Sequence, residues 1–444
     1  VFQFLNNGIT DFSSGTMFEN VKQVLPGTRL EIVYEAQKIK SYNTKTWYQI
    51  HEKLKLGSLS HDDEKENWQK LYFSSVKKHL LADVSVGLLL SGGLDSSSLG
   101  SSLSLERSAH IKEKTNAIFV GFPGKKFDES KFARASALHN NFSLNEVNFN
   151  LWDLEKALDK IIWHQDEPFA STSIGAQWFA YQNARRFIKV AISGQGADEL
   201  LYGYPSFLGP FIKDCLLNFS FLSLAKALWW KKGQIFEFGL INSFQKFKNL
   251  YSASANSSVS IFTEGFAEKM KLGISYKEYH VKSSNFTELQ KFSLEKILIT
   301  ELPMMLHWED RNSMAHSIET RVPFLDHLLV ESSFLLRDEE KISAKRNKII
   351  LRELMRGHVP EEILNREDKV GFEAPQKEWI INIIETHGND LAKQLEKMFS
   401  DVFDFKKMTE LFANVRTASK QDLALCWRLF CFFRWARIFS VVPS

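Results

Sequence analysis

Cysteine is scarce in this chain of 444 residues. The three that occur, Cys215, Cys426 and Cys431, match no metal-ligand spacing, and an odd number cannot close into an even disulfide framework. Each reads as a small apolar core filler, and a reducing, cytoplasmic setting is expected. An excess of charge of one sign is lacking too. With 56 basic residues against 53 acidic ones the formal net charge is +3, which offers no electrostatic reason for a nucleic-acid groove. No apolar run reaches the roughly twenty residues that a membrane span needs. The nearest candidate, Phe207 to Trp230, is broken by Lys213, Asp214 and Lys226. Neither membrane nor nucleic acid is therefore an expected partner, and no internal repeat is visible.

Phenylalanine is abundant, with 37 copies in a chain that is 44% hydrophobic, so core packing is plentiful. The length exceeds a usual single domain, and two or three units sharing large cores are expected. Residues 1 to about 50 alternate apolar and polar positions, with Pro26-Gly27 turning into the strand-like Thr28–Tyr34. Such a segment is too short to be a stable sheet alone. A helical pattern from about Asp62 to Leu81 precedes the apolar run Val86–Leu90. Further strand patterns follow at Asn116–Phe122, Phe142–Phe149 and Ile188–Ile192, with a charged helix at Asp128–His139. Strands alternating with helices predict an α/β fold, a parallel doubly wound sheet whose ligand lies at the carboxyl ends of the strands. After Pro205 helical segments dominate, including the aromatic Leu423–Phe439, and Ser252–Ser260 reads as a surface loop. The expected division is 1–50, a short β piece; 51–205, the nucleotide-binding α/β core; and 206–444, a mainly helical part.

The stretch Gly87-Leu88-Leu89-Leu90-Ser91-Gly92-Gly93-Leu94-Asp95-Ser96-Ser97-Ser98 joins a strand to a loop of glycines and hydroxyls. Gly92 and Gly93 let the backbone approach an anion, and the amides opening the next helix point at it. Ser91, Ser96 and Ser97 add hydroxyl donors. Asp95 beside a polyphosphate needs a neutralising cation, which implies Mg2+. No Lys follows the glycines, so the loop is not the common Lys-Ser/Thr phosphate loop. It resembles instead the loop of ATP pyrophosphatases, which cleave ATP to AMP and pyrophosphate.

Three more stretches stand in order behind it. Ser193-Gly194-Gln195-Gly196-Ala197-Asp198-Glu199 follows another strand, and Asp198 with Asp95 forms a carboxylate pair suited to magnesium. Glu309–Asp326 contains Glu319-Thr320-Arg321-Val322-Pro323-Phe324-Leu325-Asp326, and Asn365–Phe372 contains Lys369-Val370-Gly371-Phe372. Together with Asp166-Glu167-Pro168-Phe169-Ala170, these resemble the synthetase domain of glutamine-dependent asparagine synthetases over nearly the whole chain. The resemblance implies an ATP-dependent amide-forming ligase that adenylylates a carboxylate, aspartate foremost, and passes ammonia to it. It implies that the adenine of ATP sits near Leu89 and Val120, with Ser193 and Gly194 close to the nucleoside. The pyrophosphate then meets Ser91, Gly92, Gly93, Asp95 and Ser96, and Asp95 and Asp198 hold Mg2+. Lys369 adds positive charge at the phosphates. Arg321 and Asp326 are read either as substrate ligands or as an ion pair bracing the turn at Pro323. His316 reads as a hydrogen-bonded structural residue, and the role of Lys348 stays undecided.

Two departures qualify the resemblance. Family members that hydrolyse glutamine begin with a Cys in a domain that precedes the region matching Val1, and here no Cys occurs before Cys215. Residues 1–50, with Phe4-Leu5-Asn6-Asn7-Gly8, read as the last strands of that glutaminase domain, so the chain is taken as a piece of a longer protein that uses free ammonia or ammonia delivered from elsewhere. The resemblance also admits a homodimer. Second, Gln195 stands where the family usually carries Glu, keeping the shape and losing the charge. Relatives altered at this position close rings instead. A ligase acting on another carboxylate, ring-closing or not, and a catalytically silent nucleotide-binding partner protein remain the alternatives.

Overall fold

The computed structural model describes residues 1–53, 61–106, 114–220, 222, 225, 261–273, 286–367 and 374–441. The first element is a helix, α1 (Phe2–Asn7), where Phe4–Gly8 is expected as a strand. The helical turn places Phe2, Phe4 and Leu5 on the buried side, and the ring of Phe2 meets that of Phe262 at 5.0 Å. Burial of three large side chains thus overrides the alternating pattern. Strands β1 (Thr28–Glu35) and β2 (Lys38–Thr46) form an antiparallel hairpin. Its two-residue turn, Ala36 at φ 48° and Gln37 at φ 63°, matches the twist of the flanking strands, and most of its side chains are exposed.

The site rests on a five-stranded sheet. In chain order come α2 (His61–His79), β3 (Val86–Leu89), α3 (Leu94–Glu106), β4 (Asn116–Val120), α4 (Ser130–His139), β5 (Ser143–Val147), α5 (Leu151–Gln165), α6 (Ser173–Ala184), β6 (Val190–Ile192), α7 (Ala197–Leu200), α8 (Leu302–Met314), β7 (Glu319–Arg321) and α9 (Ile349–Leu354). The strand order is β5-β4-β3-β6-β7 and every pairing is parallel. The chain starts in the middle at β3, builds outward to β5, then crosses to β6 and β7. The reversal between β3 and β6 opens a crevice at their carboxyl ends.

Strand alternation divides the apolar residues between two cores. Leu88, Leu90, Ala117 and Ile192 face a core with Trp68, Tyr72 and Val76 of α2 and Leu99 and Leu103 of α3. Ile118, Val120 and Ala191 face the other, with Leu158 and Ile161 of α5, Tyr181 of α6, and the helices Gln376–Phe399, Phe405–Ala413 and Lys420–Ile438. The aromatic Leu423–Phe439 stretch is therefore core packing. Cys215, Cys426 and Cys431 are buried and free.

The boundary drawn at 205 does not separate sheet from helices. β7 lies beyond it, pairing Val190 with Glu319 and Ile192 with Arg321. Three polar residues, Glu-Thr-Arg, carry no strand pattern of their own, and the edge position beside β6 is what makes them one. Ser252–Ser260 lies outside the described residues.

Candidate active site

A cavity of about 580 Å³ opens at the β3/β6 switch. Leu89, Ser91, Gly93, Asp95 and Ser96 line it from β3 and the following loop, Ile118 and Val120 from β4, and Ser193, Gly194, Gln195 and Asp198 from β6 and its loop. All the candidates at these strand ends except Gly92 thus share one space. Gly92 is turned away from it. At φ +79°, an added Cβ would stand 2.7 Å from the amide nitrogen of Ala133 on α4, so this glycine serves the turn and helix packing. Its carbonyl accepts from the Arg366 guanidinium at 3.3 Å.

The hydroxyls brace the loop from within. Ser96 Oγ accepts the Ser91 amide at 3.1 Å, meets Ser91 Oγ at 3.0 Å, and reaches the Gly93 carbonyl at 3.3 Å. Gly93 N donates to Ser91 Oγ at 3.2 Å. The loop is preorganised around its own serines, with residues 93–96 opening α3 toward the cavity. Ser97 is fully buried and does not line it.

Lys348, whose role the sequence leaves undecided, holds the centre. Its ammonium lies 2.6 and 2.5 Å from the two oxygens of Asp95 and 2.6 Å from Asp198 Oδ1. The side chain is only 4% exposed, against 15% for Asp95 and 14% for Asp198. Burial lowers the lysine pKa, and the Asp95 carboxylate works against that shift. The residue caps α9 at φ 53°, ψ 40°, a left-handed conformation that costs a β-carbon-bearing residue on the order of 1 kcal/mol and concentrates at functional sites. Its backbone is anchored through Asn347, whose amide donates to the Gly203 carbonyl at 2.7 Å. Gly203 makes the cluster sterically feasible, because a Cβ there would fall 1.9 Å from Asp198 Oδ1 and 2.3 Å from Lys348 Cε.

This cluster tests the expected metal site. Asp95 and Asp198 do face one another's cation, and that cation is an ammonium. Among the described residues no group of three or more His, Cys, Asp or Glu could hold a metal ion. Two carboxylates suit Mg2+ only when substrate phosphates and water complete the octahedron. The donor set thus fits magnesium arriving with a nucleotide, not a resident ion.

Another part of the lining comes from α8 and the residue before it. Glu301, Met304, Met305, Trp308 and Glu309 line the cavity, an alternation of acids and apolar side chains on one helix face. Glu301 pairs with the buried Lys296 at 2.5 Å. Glu309, 2% exposed, accepts the Tyr181 hydroxyl at 2.8 Å on Oε1, and that hydroxyl also meets Thr320 Oγ1 at 2.8 Å. Burial raises the Glu309 pKa, while Ser193, Tyr181 and Gln195 favour its charged form. Its second oxygen, Oε2, is buried and makes no hydrogen bond of good geometry.

Other sequence candidates fall elsewhere. Arg321 sits on edge strand β7 away from the cavity, donating to the carbonyls of His79 at 2.8 Å and Leu81 at 2.7 Å and to Glu319 at 2.7 Å. Asp326 caps the helix His327–Leu335 through the Leu328 amide and pairs with Lys78 at 3.4 Å. Neither a substrate arginine nor an Arg321–Asp326 brace is formed, because β7 turns alternate residues to opposite faces. His316 is buried against the edge of Trp178 at 4.4 Å. Burial drives its pKa down to about 4, and neither ring nitrogen has a hydrogen-bond partner among the described residues, so it is not the hydrogen-bonded residue expected. Glu167 accepts the Met17 amide at 2.8 Å, and Glu199 accepts the Tyr204 hydroxyl at 2.7 Å; neither lines the cavity. Lys369 lies outside the described residues.

Three lining residues carry no assigned role in the sequence reading. Arg352 is held by the Asn347 and Leu364 carbonyls, and Arg366 by Glu129 at 2.7 Å with its guanidinium 4.0 Å over Phe132. With Lys348 they bring three cations beside the glycine loop, among the carboxylates of Asp95, Asp198 and Glu129. Glu309 is the third. Its only signal is its place at the head of the Glu309–Asp326 stretch.

A family model described as asparagine synthase matches residues 68–437. Asparagine synthetase [glutamine-hydrolyzing] 1 of Bacillus subtilis is 26% identical over 439 residues, 95% of this chain and 66% of that protein. A putative asparagine synthetase [glutamine-hydrolyzing] of Mycobacterium tuberculosis is 27% identical, with 83% and 57% covered. Amidase chyE of Penicillium rubens is 25% identical, with 82% and 60% covered. The chain spans less than two thirds of the length of these curated relatives.

Proposed function

Because the chain belongs to the asparagine synthase family, we propose that it is an ATP-dependent, amide-forming ligase. A carboxylate attacks the α-phosphorus of ATP, pyrophosphate leaves, and ammonia attacks the resulting acyl-adenylate to give an amide and AMP. The observation that carries this reading is the Asp95–Lys348–Asp198 cluster beside the serine-braced loop. Amides of the loop and the opening of α3 receive the pyrophosphate. Lys348, Arg352 and Arg366 stand beside it, and magnesium, which Asp95 and Asp198 would hold, would supply the remaining positive charge when bound with the nucleotide. Lys369, in the family-like Lys-Val-Gly-Phe segment, adds a further cation. Leu89, Ile118 and Val120 give an apolar bed for adenine, with Ser193 and Gly194 along the nucleoside.

Aspartate is the first acceptor to consider, since relatives are named for asparagine synthesis. A second reading, another carboxylate, is favoured by the apolar Met304, Met305 and Trp308 on the acceptor wall and by Gln195. Free ammonia, or ammonia from a glutaminase domain, is the nitrogen source. Among the described residues no helix is long and apolar enough to cross a membrane, and the three free thiols suit the cytoplasm. The test is pyrophosphate release from ATP and magnesium with ammonium, across a panel of carboxylic acids led by aspartate. Release that depends on one acceptor supports ligase chemistry and identifies it. Tight ATP binding without release against any acceptor would refute catalysis in favour of a nucleotide-binding partner role.

A further inference from the structure

The nitrogen that attacks the acyl group must lose a proton, and position 195, which lines the cavity, carries an amide that cannot accept it. We propose that Glu309 of α8 is the catalytic base of this second step, taking the proton from the attacking nitrogen on Oε2. The inference rests on the ligase reading above.

Its support is positional. Glu309 lines the same cavity as Gln195, Gly194 and Lys348, and its carboxylate lies against the side chains of Ser193 and Gln195. One oxygen is fixed by the Tyr181 hydroxyl at 2.8 Å, which is itself set by Thr320. The other is buried and lacks a well-formed partner, an arrangement that costs free energy unless a donor arrives. A nitrogen carrying hydrogens is such a donor. Burial also raises the pKa of this acid, which makes its carboxylate a stronger base. In the step itself, nitrogen forms its bond to the acyl carbon, the carbon–oxygen bond to the α-phosphate breaks, and AMP leaves with the electron pair. The proton shed by nitrogen goes to Glu309 Oε2. A carboxylate on α8 would thus keep a base in the cavity where the β6 loop carries an amide.

The experiment compares two readouts in one preparation. Exchange of labelled pyrophosphate into ATP reports the first step and the fold; amide formation reports the second. In Glu309→Gln the ratio of amide formation to exchange is expected to fall by about 10²-fold or more, the usual weight of a general base. The double variant Gln195→Glu with Glu309→Gln returns a carboxylate from the opposite side and is expected to recover much of that ratio. An unchanged ratio in Glu309→Gln overturns the assignment. If Glu309→Gln alone loses exchange and its cooperative melt, the charge-conserving double variant decides: a restored ratio supports the assignment and a ratio still depressed overturns it. Wild-type protein without exchange for any acceptor overturns the ligase reading itself, a result separable from failure of the Glu309 role.

Discussion

Replacing Lys348 with Met keeps the length of the side chain and removes an ammonium that Asp95 and Asp198 share. Three contacts of 2.5–2.6 Å are lost at once. Stripping one partner from a buried charge cluster costs about 3–5 kcal/mol, because the charges left behind are uncompensated. The acids keep 15% and 14% exposure, so water relieves part of this, and a loss near the lower end, about 3 kcal/mol, is expected. The penalty has a distinctive pH dependence. In the variant, protonating either carboxylate removes the repulsion, so the folded state gains protons more readily than the unfolded chain and stability rises as pH falls through the carboxylate range. The gap to wild type is therefore widest near pH 7.5 and narrows toward pH 4.5. Urea denaturation at the two pH values reads both effects. A midpoint equal to that of wild type at pH 7.5, or a deficit that acid does not reduce, would show that the cluster is not the electrostatic unit described.

A Cβ at Gly203 collides with both Asp198 and Lys348, so Gly203→Ala is expected to cost about 1–3 kcal/mol and to suppress pyrophosphate release, whereas Gly265→Ala, with nothing within 4 Å, leaves release untouched; equal behaviour of the two by melting and release assay sinks this reading. Ser96→Ala removes the hydroxyl that closes the loop, and should raise the KM for ATP with about 1 kcal/mol of lost stability; an unchanged KM argues that the loop is held by its backbone alone. Burial pushes the Glu295 pKa up to about 7, with Lys296 opposing and Glu301 adding to the shift. The folded state therefore binds more protons between the ordinary carboxylate range and pH 7, and stability falls as pH rises through that window. Glu295→Gln is expected to flatten this slope in melts from pH 5 to pH 8, and a parallel slope in the variant counts against the buried acid.

The strand-end motifs were legible because close approach to an anion restricts local chemistry to glycine and hydroxyls, and that restriction is written in consecutive residues. The sheet was legible for the same reason, since Leu88, Ala117 and Ile192 belong to short apolar runs. β7 was not: Glu319-Thr320-Arg321 is a strand only because β6 offers an edge. Nor was α1, where burial of Phe2 and Phe4 against Phe262 depends on a partner far along the chain. Lys348 stands 253 positions from Asp95, in a segment where Lys345 and Arg346 make it read as one more surface charge. Arg321 shows the converse error. It lies within a recognisable motif, yet strand alternation points it at the His79 and Leu81 carbonyls.

The cations that line the cavity do not stand apart from acids. Among the described lining residues Lys348 is held by Asp95 and Asp198 and Arg366 by Glu129, while Glu301, just before α8, and Glu309 on α8 add further carboxylates. A polyphosphate entering beside the glycine loop would therefore meet cations already matched by carboxylates, and like charges brought close in a desolvated space repel strongly unless a further cation enters with them. On the ligase reading the nucleotide would thus bind together with its metal, and the loop amides would supply the remaining donors.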